Sequence, residues 1–301
     1  MSERDHTTAP AGGEPLRPRR SFLYMPGANE RALAKAAELP ADGLILDLED
    51  AVAPDAKPDA RDRVCAAAAE DRYGHREVAI RSNGSDTEWF EADVRAIAAA
   101  SPDVLLVPKV DSVDHVRTIE AALDRADAPS SLSIWAMLET PRAVLHADAL
   151  AHASERLTGF VLGTNDLAKE LRAEHVPGRA PLLTALSWCV LAVRDAGKIV
   201  LDGVYNDLDD PDGFVAECRQ ARELGFDGKT LIHPKQLDIC NSTFAPSDDE
   251  VAHARRVIEA FESASGEGRG VVTVDGRMVE NLHVAQARHT VAVADAIASR
   301  G

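Results

Sequence analysis

Ser21-Phe22-Leu23-Tyr24-Met25-Pro26-Gly27-Ala28-Asn29 is the stretch on which the fold turns. Its first four residues are a short apolar run, closed off within two residues by Pro26-Gly27, and they read as a buried strand and its turn. An open doubly wound sheet favours G-x-G-x-x-G after its first strand, where close backbone approach cradles a phosphate. Met25 to Asn29 carries no such pattern. Seven further runs follow: Gly43 to Leu46, Val78 to Ile80, Val104 to Val107, Leu132 to Leu138, Leu157 to Leu162, Ile199 to Leu201 and Gly228 to Ile232. Between them lie Ala-rich segments of helical spacing, such as Glu30 to Glu38, Asp59 to Glu70, Thr87 to Ala100 and Val113 to Arg125. Strands alternating with helices, eight times over, predict an α/β TIM (β/α)₈ barrel.

After Phe244 the alternation stops. Asp248 to Ser263 reads as a helix, Gly266 to Gly270 as a flexible turn, Val271 to Val274 as a short strand and Ala285 to Ser299 as a closing helix. The expected organisation is a flexible tail over 1–19, a barrel over 20–244 and a C-terminal helical extension over 245–301, packed on the barrel or on a neighbouring subunit. The tail lacks the apolar stretch of a signal peptide, and no apolar run is long enough to span a bilayer. The four cysteines are far apart with no C-x-x-C, which suits a reducing cytoplasm. The formal charge of −17, with no basic run beyond Arg17 to Arg20, argues against nucleic acid as a partner.

In a barrel, the carboxyl ends of the strands carry the active site. Those ends read Asp47-Leu48-Glu49-Asp50, Arg81-Ser82-Asn83, Pro108-Lys109, Glu139-Thr140, Gly163-Thr164-Asn165-Asp166, Asp202 with Tyr205 and Asn206, and His233-Pro234. So many acids at one mouth would repel unless a cation sat among them. Glu139 and Asp166, 27 residues apart on consecutive strands, suit a hard divalent ion such as Mg²⁺, with Mn²⁺ as a substitute. Salt bridges or helix caps are the other reading of the same two residues. Arg81 offers a planar fork to a carboxylate or enolate oxygen, or else pairs with Glu49 or Asp50. His233 reads as a structural histidine. Lys109, beside carboxylates that favour its charged form, is a poor nucleophile. There is no H-E-x-x-H and no G-x-S-x-G.

Four segments together are distinctive: Arg20 to Gly27 (RSFLYMPG), Leu46 to Val52 (LDLEDAV), Gly225 to Gln236 (GFDGKTLIHPKQ) and Asp275 to Glu280 (DGRMVE). In these the chain resembles the citrate lyase beta-subunit-like (CitE-like) family of CoA-ester lyases, within the HpcH/HpaI aldolase superfamily, over about residues 19 to 298. The resemblance implies a TIM barrel with a C-terminal extension, commonly a homotrimer. It implies an enzyme that makes or breaks a carbon–carbon bond beside a CoA thioester, on malyl-CoA, citramalyl-CoA or citryl-CoA, giving an acyl-CoA and a 2-oxo acid. It makes Glu139 and Asp166 the Mg²⁺ ligands and Arg81 the substrate arginine. It has the Gly163-Thr164-Asn165-Asp166 turn offer N–H groups to the 2-oxo acid carboxylate, and makes Arg20, Arg31 and Lys57 candidates for the CoA phosphates. Relatives of the malyl-CoA and citramalyl-CoA kind often carry Met-Ile-Asp in the extension, whose Asp reaches a neighbour's site and handles a proton. Here the segment is Met278-Val279-Glu280, one methylene longer, and a shift of about 1 Å costs on the order of 100-fold.

The expected reaction is therefore Mg²⁺-dependent cleavage or formation of a 3-hydroxyacyl-CoA, with Arg81 steadying an enolate and Glu280 moving the proton. Three alternatives stand beside it. One is hydrolysis of the CoA thioester, which the change at Glu280 keeps open. Another is a CoA-free aldolase of the HpcH/HpaI type, which usually carries Asp-x-Glu-His where this chain has Asp50. The third is a non-catalytic barrel subunit of a larger lyase complex.

Overall fold

The computed structural model describes residues 16–70, 72–266 and 270–300, so most of the expected tail and the middle of the expected Gly266 to Gly270 turn lie outside the described residues. The chain divides into two compact units, one spanning Arg19–Phe244 and one built on the residues from Ala245 onward.

The first unit is a closed barrel of eight parallel strands in consecutive order. They are β1 (Ser21–Pro26), β2 (Gly43–Asp47), β3 (Glu77–Arg81), β4 (Val104–Val107), β5 (Ser133–Leu138), β6 (Leu157–Leu162), β7 (Ile199–Asp202) and β8 (Gly228–Leu231). Alternate residues of each strand face inward. Phe22, Ile45, Ala79, Leu106, Trp135, Met137, Val161 and Leu201 fill the lumen, with Phe22 and Trp135 ring centroids 5.1 Å apart. The intervening residues, such as Leu23, Leu44, Ile80, Leu105 and Phe160, pack under the helices. Both faces are thus apolar, which is why the strands appear in the sequence as unbroken runs rather than alternating ones. At the amino ends, Arg19 binds Glu77 and Arg20 binds Asp42.

A buried ion network lies between β7, β8 and the helix Pro211–Leu224. Lys229, fully buried, reaches Asp202 and Glu217 at 2.7 Å each, and Arg179 places Nη1 2.8 Å from both Asp202 oxygens. Arg179 belongs to the segment after the helix Thr164–Leu171, so this network ties that segment to the barrel wall.

The second unit pairs the helices Asp248–Gly266 and Asn281–Ala298 around a two-stranded hairpin, β9 (Val272–Val274) and β10 (Arg277–Val279). Its own core contains Val257, Phe261, Val274, Val279 and Val284. Gly276 takes the left-handed conformation (φ +77°) that closes the hairpin after Asp275. Among the described residues no helix is long and apolar enough to cross a membrane.

Candidate active site

Strand register brings the polar strand ends to one mouth. Asp47 is paired in register with Arg81 across β2 and β3. Arg81 grips it with Nε–Oδ1 at 2.6 Å and Nη2–Oδ2 at 2.8 Å, a planar two-point pair. Nη1 of the same guanidinium lies 2.7 Å from Glu49 Oε2, 3.9 Å from Asp50 Oδ2 and 3.9 Å from Met137 Sδ. The alternative partners expected for Arg81 are therefore engaged, and Asp47 is its principal one. Burial opposes the Asp47 carboxylate, yet Arg81 and two backbone N–H groups hold it below the ordinary range. Arg81 is held charged by Tyr24, Asp47 and Glu49 despite its own burial.

Glu49 presents a contrast. Oε1 meets Lys109 Nζ at 3.2 Å, but Oε2 is buried without a well-aligned hydrogen bond, its close approach to Arg81 Nη1 being out of line. Glu139, the residue after β5, accepts Lys109 N–H at 2.7 Å. Lys109 adopts φ +55° to make that bond, a left-handed conformation that costs a lysine about 1 kcal/mol or more. Burial first, then the charge of Glu49 and that of Asp166, push the Glu139 carboxyl up to about 7. Lys109 stays charged: burial pulls its pKa down, but Glu49, Glu139 and Asp166 more than restore it.

These residues fit a hard divalent cation. The donors are carboxylate oxygens with no thiolate or imidazole among them, one buried oxygen of Glu49 has only the misaligned Arg81 Nη1 beside it, and Glu139 sits in negative potential that a cation would relieve. Two carboxylates, Glu139 and half-buried Asp166, match the habit of Mg²⁺ to keep several positions for water and substrate. Among the described residues, the one trio of ligating groups within 4.8 Å of one another is elsewhere: Asp148, His152 and Asp195, all exposed, on helix ends leading into β6 and β7.

Gly163 is shaped by Glu139. A Cβ at Gly163 would overlap Cβ and Oε2 of Glu139, so only glycine lets the two strand ends come this close. Its N–H is already used, donating to Leu138 O at 3.1 Å, which removes it from the expected anion-binding turn. Thr164, Asn165 and Asp166 form the first turn of the helix Thr164–Leu171, where backbone N–H groups have no intrahelical acceptor and favour an anion. Asn165 and Asn206 exchange amide hydrogen bonds at 3.1 and 2.8 Å, tying that turn to the loop after β7.

Two expected phosphate partners are placed otherwise. Arg20 precedes β1, at the opposite end of the barrel, with Nε and Nη2 each 2.8 Å from Asp42. Lys57 is buried, and its ammonium donates to Leu48 O, Glu49 O and Asn83 Oδ1 at 2.9, 2.8 and 2.6 Å. All three donors are spent, so Lys57 fixes the loop after β2 instead of presenting charge. Burial also lowers its pKa. Arg31 is exposed on the helix Glu30–Ala36 that follows β1, on the mouth side. A cavity of about 380 Å³ adjoins the mouth, with Glu49, Asn83, Thr87, Trp89 and Lys109 among its walls. His233 caps the short helix Pro234–Gln236 by accepting Lys235 N–H, the structural role expected of it.

Glu280 belongs to the second unit. It is the N-cap of the helix Asn281–Ala298, and its own N–H donates to His283 Nδ1 at 3.1 Å. Met278 and Leu282 on either side of it are 61% and 62% exposed, a solvent-facing apolar margin unusual for such residues.

Two mouth residues were not singled out from the sequence: Asp47 as the Arg81 partner, and Tyr24. Tyr24 faces inward on β1 with Arg81 Cζ 4.9 Å from its ring centroid. The inward phase of β1, readable from its alternation with Phe22, is the signal that locates it.

Comparison with known proteins bears on the family and the fold. The HpcH/HpaI aldolase/citrate lyase family model matches residues 20–234. A (3S)-malyl-CoA thioesterase of Cereibacter sphaeroides is 50% identical, over 94% of this chain and 97% of its own length. The citrate lyase subunit beta of Escherichia coli K12 is 40% identical, over 90% and 92%. The crystal structure of CitE from Mycobacterium tuberculosis, in complex with magnesium, acetoacetate and coenzyme A, superposes with a TM-score of 0.74 at 29% identity, over 91% of this chain and 97% of that one. With its barrel, its mouth of acids around Arg81 and these relatives, the chain belongs to the HpcH/HpaI aldolase/citrate lyase family.

Proposed function

We propose that this chain hydrolyses the thioester of a short hydroxy-dicarboxylic acyl-CoA of the malyl-CoA kind. The observation that carries the reading is half identity, over nearly the full length of both chains, to a protein named (3S)-malyl-CoA thioesterase. The mouth supports it. Glu139 and Asp166 would hold Mg²⁺, with Mn²⁺ satisfying the same oxygens. When bound, the ion supplies Lewis-acid polarisation of substrate oxygens and neutralises the acids around it. The free N–H groups of the Thr164 to Asp166 turn receive the substrate's distal carboxylate. Arg81, locked by Asp47, contributes a fixed positive charge beneath the reacting carbonyl instead of a free fork. Lys109 spans Glu49 and Glu139 and keeps their charges apart. Arg31 remains the candidate for a CoA phosphate.

Glu280, offered by the extension of a neighbouring copy in a trimer, acts as the base that takes a proton from the attacking water. Water oxygen bonds to the thioester carbon, the carbon–sulfur bond breaks, and the CoA thiolate leaves and is protonated. The products are the free hydroxy-diacid and CoA. Carbon–carbon cleavage to an acyl-CoA and a 2-oxo acid is the second reading, favoured by the 40% identity to citrate lyase subunit beta. The test is thiol release from (3S)-malyl-CoA, with and without Mg²⁺, by the wild type and by the Glu139→Gln, Asp166→Asn double variant. Metal-dependent CoA release that the double variant loses supports the proposal. Thiol release undiminished in that variant contradicts it.

A further inference from the structure

The Arg81 fork is nearly full. Two of its N–H groups sit on Asp47, and Nη1 faces Glu49 and Met137. An oxyanion formed over the mouth therefore needs another donor, and β1 supplies one. Of the three tyrosines, Tyr73 donates its hydroxyl to Leu33 O at 3.3 Å and Tyr205 to Asp210 Oδ2 at 2.7 Å. The Tyr24 hydroxyl has no protein partner among the described residues, although its ring lies in the lumen at the mouth. The ring is held by the Arg81 guanidinium on its face, and Arg81 is itself immobilised by Asp47. A cation on the π face draws electron density from the phenol and strengthens its O–H as a donor. Burial, reinforced by Asp47, Glu139 and Glu49, outweighs Arg81 and raises the phenol's pKa, so the hydroxyl keeps its proton.

We propose that Tyr24 is a substrate-contacting residue whose phenol O–H donates to the oxygen that becomes negative when the CoA thioester carbonyl is attacked. This rests on the hydrolytic reading above. As water adds, the carbonyl π pair moves onto oxygen and is held by the O–H of Tyr24 without proton transfer. The pair then returns to re-form C=O as the carbon–sulfur bond breaks. A donor preset for the charged form acts on the transition state more than on the bound substrate.

Tyr24→Phe keeps the ring and its contact with Arg81 and removes only the O–H. It is expected to lower kcat on the order of 100-fold, with KM changed less than about threefold. Its melting temperature and Mg²⁺ affinity should equal those of wild type, because the hydroxyl bonds nothing among the described residues. Wild-type kcat in Tyr24→Phe overturns the inference. A second readout does not depend on turnover. The whole chain is labelled with 3-fluorotyrosine, and the Tyr24 fluorine resonance is assigned by its loss in Tyr24→Phe. Acetyl-CoA with Mg²⁺ should move that resonance and leave those of Tyr73 and Tyr205 in place. A Tyr24 resonance unmoved when calorimetry shows acetyl-CoA bound overturns the inference, as does a loss of activity that only tracks a loss of stability. If wild type hydrolyses no CoA ester, the hydrolytic reading fails separately. The labelled chain is then titrated with Mg²⁺ and L-malate, where movement of the Tyr24 resonance retains its role as a donor to substrate and a static resonance removes it.

Discussion

Gly163→Ala would place a methyl group where the Glu139 side chain now lies. Restoring ordinary van der Waals contact, at least 3.4 Å, requires Glu139 to move by about 1 Å, because the overlap involves its Cβ as well as its flexible end. The Glu139 carboxylate is also fixed by Lys109 N–H at 2.7 Å, so the displacement breaks or lengthens that bond. Overpacking of this kind costs about 1–3 kcal/mol of stability. A misplacement of about 1 Å in a catalytic constellation costs on the order of 100-fold in rate. The variant should therefore fold, melt a few degrees lower, bind Mg²⁺ more weakly and turn over about 100-fold more slowly. Calorimetric titration with Mg²⁺ and steady-state thiol release measure the two effects separately. Wild-type Mg²⁺ affinity and turnover in folded Gly163→Ala would refute the assignment of Glu139 as a metal ligand.

Three further outcomes are expected. Folding raises the Glu139 pKa from 4.5 to about 7, so the metal-free native state binds more protons than the unfolded chain in that window and loses stability as pH rises through it. Glu139→Gln should flatten that slope and raise the metal-free unfolding free energy at pH 8 by on the order of 3 kcal/mol, while wild-type Mg²⁺ affinity climbs between pH 6 and 8 as the proton leaves. Arg81→Met strands Asp47 and leaves Glu49 with Lys109 alone, which should destabilise by about 3–5 kcal/mol in urea melts, whereas Lys229→Met leaves Asp202 and Glu217 with Arg179 and should cost less, with only Arg81→Met altering substrate kinetics. Glu280→Ala and Glu139→Gln chains, each inactive alone, should recover part of the wild-type rate when unfolded, mixed and refolded together, since the proposed site draws on two copies; no recovery argues against a shared site.

The barrel was legible because strands covered on both faces leave unbroken apolar runs. Those runs stopped short at Asp47, Arg81 and Asp202, which are polar yet still hydrogen-bonded into the sheet, so the strand ends that carry chemistry were the least visible in the pattern. Glu139, Asp166 and Arg81 could be found from their place after apolar runs. The Asp47–Arg81 pair could not, because it depends on strand register. Arg20 had its own signal: a residue preceding a strand lies at the amino end of the barrel, away from the mouth. Lys57 had none, since three acceptors from β2 and β3 loops converge on it only in the fold. Tyr24 reads in sequence as one more aromatic strand residue, and only its hydroxyl, without a partner among the described residues, sets it apart.

The measurement closest to the central claim is mass spectrometry of the products formed from (3S)-malyl-CoA and Mg²⁺ in ¹⁸O-labelled water. Hydrolysis predicts free CoA and malate carrying one ¹⁸O in a carboxylate, both lost when Mg²⁺ is chelated. Acetyl-CoA and glyoxylate, with no label in residual malyl-CoA, would contradict hydrolysis and assign carbon–carbon cleavage to this mouth.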